Sequence, residues 1–167
     1  KARYAQLAER TAEAFNRTYW NEQTGGYAAN NQAANSFALF LGIVDETRIP
    51  RVVKNLADDV EKHDYHLTTG NLCTKYLMEM LTRYGHAETA YRIATQTTYP
   101  SWGYMLQNGA TTLWERWEYA TGDEMNSHNH PMYGAADAFL YSHILGIHAL
   151  EAGMRRFEVK PYMPDKL

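Results

Sequence analysis

The sequence predicts an all-α protein built from successive helical hairpins. Apolar residues recur at helical spacing in six separate stretches. Glycine or proline marks most of the joins between them, so the connections are short. Strand-like alternation occurs at 157–161. Helices joined this way pack as antiparallel neighbours. The pattern contains no repeat of fixed sequence and specifies no particular bundle.

The first helix spans 1–18, with Tyr4, Leu7, Ala8, Thr11 and Phe15 on its apolar side. A turn region, 19–31, follows around Gly25-Gly26. The second helix carries Ala34, Phe37, Ala38 and Leu41, and Gly42 stands at its end. The third opens near Pro50, which suits a first helical turn. It turns Val52, Val53, Leu56 and Val60 inward, with Arg51, Lys54, Asp58 and Glu61 on the solvated face. After a polar connection at 63–69, a fourth helix runs over 71–84. Its stripe is Leu72, Cys73, Tyr76, Leu77, Met80, Leu81 and Tyr84, and Gly85 is its stop. The fifth, 86–97, has small Ala87, Ala90 and Ala94 beside Tyr91, and Pro100 breaks the pattern. A sixth helix is predicted at 132–150, with Ala136, Phe139, Leu140, Ile144 and Ile147 inside and Gly153 beyond it. The strand at 157–161 is confined to an edge by Pro161 and Pro164.

A chain of 167 residues is long enough for a full hydrophobic core, and 45% hydrophobic with 21% charged residues is ordinary for a globular protein. The net charge of −3, without a basic cluster, argues against nucleic acid and anionic membrane as partners. No apolar run reaches transmembrane length. Cys73, the single cysteine, has no internal partner and reads as a buried thiol.

Between the fifth and sixth helices lies 101–134, SWGYMLQNGATTLWERWEYATGDEMNSHNHPMYG. It holds Trp102, Trp114 and Trp117, together with Glu115, Arg116, Glu118, Asp123, Glu124, His128 and His130. Long loops bearing aromatic rings and carboxylates are where binding and catalysis concentrate. Rings stack on the C–H faces of sugars, and carboxylates carry the proton transfers of glycoside chemistry. Each residue also has a structural reading. Thr112-x-x-Glu115 has capping-box spacing, and on spacing alone Glu115 closes a helix start. The tryptophans can be core; Trp102, placed in a loop after Pro100-Ser101, is the better sugar platform, and Trp114 and Trp117 would share a helix face and brace Glu115. Arg116 and Glu118 read as an exposed pair, Asp123 and Glu124 as solvated turn residues. His128-x-His130 and His63-x-x-His66 lack a third ligand, so no metal is expected, and no motif calls for a cofactor.

The motifs GATTLWERW and MNSHNH, with HLTTGNLCTKYLMEML, YPSWGYM and the run 133–146, resemble the bacterial α-L-rhamnosidases over most of the chain. That resemblance implies an (α/α)6 toroid of which 1–150 is about the second half, and a C-terminal β-sandwich that begins within 151–167. It implies inverting hydrolysis of terminal α-linked L-rhamnose from glycosides or oligosaccharides. It assigns Glu115 as the general base. It places His130, preceded by Asn129, in the donor pocket and His128 at a variable position; beside these, Trp102 and Trp114 are expected as further sugar-binding residues. The family's general acid lies in an acidic motif, DCP-x-R-x-E, which this chain does not contain. The chain alone is therefore expected to be inactive, and an isolated half-toroid to be marginal or self-associating. Another α/α-toroid glycosidase, a polysaccharide lyase and a non-catalytic carbohydrate-binding helical module remain open as alternatives.

Overall fold

The computed structural model describes residues 1–124 and 126–163; for Glu124 only the backbone is described. Met125 of the MNSHNH motif, Pro164 and the other residues of 164–167 lie outside the described residues. The elements are α1 (Ala2–Tyr19), a short hairpin β1 (Trp20–Asn21) and β2 (Gly26–Tyr27), α2 (Gln32–Phe40), α3 (Ile49–Lys62), α4 (Asn71–Arg83), α5 (Ala87–Ala94), α6 (Trp102–Gln107), α7 (Ala135–Phe139), and a second hairpin β3 (Ile147–Ala149) and β4 (Phe157–Val159). Helix α4 is the hub. It packs against α2 and α5 and also meets α7 and α3, while α2 packs on α3.

Helix α3 follows its sequence pattern closely. Pro50 sits in its first turn, where its missing N–H is unneeded, and Val52, Val53, Leu56, Ala57 and Val60 are buried. Each large apolar side chain so buried stabilises the fold by about 1.5–3 kcal/mol. Lys54 pairs with Asp58 on the outer face. Helix α4 buries Cys73, Leu77, Met80 and Leu81 as expected, but Leu72 is exposed and Thr74 takes an inward place.

Helix α2 is less regular than its apolar stripe suggested. Its buried face holds Gln32, Asn35 and Ser36 beside Ala38 and Leu39, whereas Leu41 is exposed. The two amides bond outside the helix. Gln32 Nε2 donates to His66 O (3.0 Å) and its Oε1 accepts from Thr68 N (2.9 Å), clamping the connection between α3 and α4. Asn35 Oδ1 accepts from Tyr27 N (3.1 Å), and Asn35 Nδ2 donates to Asn30 Oδ1 (2.9 Å), which fixes the turn after β2. Buried amides paired this way avoid the cost of unmade hydrogen bonds.

Helix α1 forms as expected but buries no residue; Tyr4 and Leu7, predicted inward, are exposed. It attaches at its C-terminal end, where Phe15 packs on Tyr27 and Asn16 Nδ2 donates to Ile43 O.

Two expectations are corrected after residue 100. The segment beginning at Trp102 is a helix, α6, capped by Ser101 Oγ, which accepts from Tyr104 N (3.0 Å). The predicted helix over 132–150 is broken up. A 3-10 turn (Pro131–Gly134) leads into α7, a wider π turn (Leu140–Ile144) closes it, and the chain becomes β3 at Ile147. Ile147 continues the apolar spacing, but Gly146 adopts φ +65°, and a Cβ there would lie 1.8 Å from Lys160 O. That left-handed turn ends the helix and lets Ile147, His148 and Ala149 pair antiparallel with Val159, Glu158 and Phe157. The strand expected at 157–161 thus exists over its first three residues, with a partner taken from the predicted helix.

Candidate active site

The loop 112–134 is shaped by hydrogen bonds between two of its own segments. His130 N donates to Leu113 O (2.8 Å), Glu115 N donates to Ser127 O (2.9 Å), and Thr112 Oγ1 donates to His128 O. The chain around Glu115 is therefore held open beside 127–130 and is not a helix start. The capping-box partner is replaced: Glu115 Oε2 accepts from Ser127 N (3.0 Å), not from the Thr112 backbone.

The tryptophans brace this loop from within. Trp114 is buried, and its ring stacks on His128 (5.1 Å between centroids, 29°) and lies 5.1 Å from Tyr119. Trp117 is buried, packs 3.8 Å from the Tyr133 ring, and its Nε1 donates to Thr69 O (2.9 Å). Trp102 meets Trp117 edge-on (5.3 Å, 89°), and its Nε1 donates to Tyr133 O (2.9 Å). Its placement as a loop platform does not hold, because the first turn of α6 turns it into the core at 8% exposure.

Glu115 opens onto a hollow of about 530 Å³ lined by Leu67–Asn71, Tyr99, Pro100, Glu115–Glu118, Asn126 and Tyr133. This is within the size range of ligand sites, about 300–1,000 Å³. One wall, Thr68 to Asn71, is positioned by the Gln32 clamp and by Trp117. The Tyr133 phenol is pushed well above the ordinary tyrosine range by burial and by the nearby Glu118 charge, so it stays a protonated hydroxyl. A larger hollow, about 810 Å³, lies between α4, α7 and the β3–β4 hairpin and shares no lining residue with the first. It holds His143, whose pKa is lowered by burial and then by neighbouring His148. We place the site in the smaller hollow because the loop carboxylates converge there.

Of the five residues singled out from sequence, the structure brings Glu115 to this hollow. Trp102, Trp114, Asn129 and His130 do not line it. Asn129 is exposed, with its N–H on Ser127 Oγ (3.0 Å). His130 caps the turn before α7; its Nδ1 accepts from Met132 N (3.3 Å), which puts the proton of a neutral ring on Nε2. Tyr99, Glu118, Tyr133 and the 67–71 segment were missed as site residues. Their approach depends on contacts across the fold, although the Glu115–Glu118 spacing was visible. Among the described residues no three or more His, Cys, Asp or Glu side chains gather as a metal site, and no helix is long and apolar enough to cross a membrane.

Helices carry the loop that forms this hollow, and aromatic rings and two carboxylates line it. The chain belongs to the bacterial alpha-L-rhamnosidase 6 hairpin glycosidase domain family, whose model matches residues 1–144. The solved alpha-L-rhamnosidase of Dictyoglumus thermophilum superposes with a TM-score of 0.90 at 43% identity, over 96% of this chain and 18% of that one. The Streptomyces avermitilis alpha-L-rhamnosidase, solved as a complex with L-rhamnose, superposes at 0.91 with 35% identity, over 99% of this chain and 16% of that one. A curated alpha-L-rhamnosidase of Formosa agariphila is 32% identical over 167 residues, 96% of this chain and 18% of the relative. The chain thus spans less than a fifth of the length of these relatives. Its fold is the expected one: helical hairpins forming part of an (α/α)6 toroid, with a short strand pair at the C-terminal end.

Proposed function

We propose that the chain is part of an inverting glycoside hydrolase that releases terminal α-linked L-rhamnose, and that Glu115 is its general base. The observation that carries this reading is the Glu115 carboxylate at the edge of the hollow, anchored through Oε2 by the Ser127 N–H. That bond orients the group and leaves Oε1 as the proton acceptor. Glu115 takes a proton from water as the water oxygen attacks the anomeric carbon. An acid on the opposite face of the sugar protonates the leaving oxygen, the glycosidic bond breaks, and the new hydroxyl has inverted configuration. The acid belongs to another part of the protein, so this chain alone is inactive. The donor-pocket role of His130, with Asn129 beside it, rests on the family resemblance, since neither residue lines the hollow. Trp102 and Trp114 act beneath the sugar surface, keeping the loop rigid. An isolated chain with α1 uncovered self-associates.

The test uses the full-length protein and an aryl α-L-rhamnoside, with the first-formed sugar followed by proton NMR. Initial release of the β anomer is expected, and initial release of the α anomer would overturn inversion. Glu115→Gln should lose turnover; near-normal hydrolysis by that variant removes Glu115 from the mechanism.

A further inference from the structure

We propose that Tyr99 and Glu118 form a second, sugar-binding edge of the Glu115 hollow, with the Tyr99 ring as the stacking face and Glu118 as the acceptor for pyranose hydroxyls. The inference rests on reading the hollow as the carbohydrate site.

Three aromatic side chains line the hollow, Tyr99, Trp117 and Tyr133. Trp117 and Tyr133 are spent on the core, at 7% and 2% exposure, whereas Tyr99 is 48% exposed. Tyr99 therefore has the ring face that a sugar can cover. The ring is also held in place, as a stacking surface must be if ordering it on binding is not to weaken affinity. Its position is set by Tyr104, packed against it nearly perpendicular (5.3 Å, 78°), and by its hydroxyl, which donates to Glu118 Oε1 at 3.2 Å. Burial first, and the Glu118 charge second, raise the phenol pKa, so Tyr99 remains a donor to that carboxylate.

Glu118 differs from Glu115 in its surroundings. One oxygen takes the Tyr99 hydroxyl and the other stands 3.5 Å from Arg116 Nε. Both oxygens are thus oriented by neighbouring side chains, a setting suited to accepting from fixed sugar hydroxyls. Glu115 is anchored by one backbone N–H. The two carboxylates, three residues apart, therefore divide binding and proton transfer within one hollow. A pyranose matches this edge: its C–H face covers the ring, and its equatorial hydroxyls point outward toward the carboxylate.

The experiment measures steady-state hydrolysis of an aryl α-L-rhamnoside and calorimetric binding of L-rhamnose by the full-length protein. Tyr99→Ala should raise KM and the rhamnose Kd about ten-fold, with kcat within about two-fold. Tyr99→Phe, which keeps the ring, should restore most of the binding. Glu118→Gln should raise KM several-fold without abolishing turnover. Unchanged KM and Kd in Tyr99→Ala, or a fall in kcat alone, would overturn the proposal. If Tyr99→Ala does not fold, Glu118→Gln and Tyr99→Leu decide it by the same readings. A wild-type protein that neither binds nor cleaves rhamnosides defeats the functional reading itself. Wild-type binding that survives every Tyr99 and Glu118 substitution defeats only the edge.

Discussion

In the core formed by α2, α3 and α4, helix geometry carries side chains such as Leu56, Leu77 and Met80 inward, and packing holds them there. Between residues 112 and 134 the chain has little regular structure, yet Trp114, Trp117 and Tyr133 are also buried. What holds that loop is specific bonding: Trp117 to the Thr69 carbonyl, Glu115 to Ser127, and His130 to Leu113. Periodicity gives stability that many side chains share. Specific bonding lets polar side chains such as Glu115 face a hollow that helix packing would have filled. Substitutions in the two regions should therefore fail in different ways.

The largest expected effect is on the loop. Glu115→Gln in the full-length protein should lower kcat by about 10²–10⁴, the range of a general base, while the thermal midpoint moves by no more than about 2 °C. Glutamine still offers an oxygen to the Ser127 N–H, so the loop keeps its shape. A large fall in the midpoint would show that Glu115 is as structural as any core residue and would erase the contrast.

Next comes the core. Leu56 is fully buried, and Leu56→Ala should cost about 2–5 kcal/mol in urea denaturation of the full-length protein, with KM and kcat of the folded fraction unchanged. A kinetic change without loss of stability would show that α3 reports to the site.

These two regions were also unequally legible in the sequence. Helix α3 could be read almost residue by residue, because all its inward positions are apolar and Pro50 marks its start. Helix α2 was read with a partly wrong face, since periodicity counts apolar residues and cannot see that Gln32 and Asn35 are buried to bond backbone outside the helix. The helix expected over 132–150 ran too long because Ile144 and Ile147 kept the spacing; the left-handed Gly146 and the pairing with β4 were not visible locally. In the loop, motif resemblance singled out Glu115, which reaches the hollow. Tyr99 and Glu118 were passed over because their bond joins residues nineteen positions apart, a contact that only the fold creates.

Gln32 tests where the two regions meet. It lies in the core, but it holds His66 and Thr68, next to the wall of the hollow. Gln32→Ala leaves a buried carbonyl and a backbone N–H without their partner, and should cost about 1–3 kcal/mol. Because Thr68 to Asn71 would then shift, KM for a rhamnoside should rise as well. Loss of stability with no change in KM would mean that Trp117 alone fixes that wall.

The smallest effect at neutral pH is expected at Cys73, on the buried face of α4. Burial pushes its thiol up to about 11 from an ordinary value near 9. The folded state then keeps a proton that the unfolded state releases, so the contribution to stability is complete below pH 9 and is lost as pH rises toward 11. At pH 7, Cys73→Ala should differ from wild type only by packing. Between pH 9 and 11 wild type should lose up to about 2–3 kcal/mol relative to Cys73→Ala, measured by urea denaturation at each pH. Parallel pH profiles for the two proteins would show that the thiol ionises as easily folded as unfolded. That could happen only if α4 opens to solvent, and it would place the core's central helix among the region's mobile parts rather than its fixed ones.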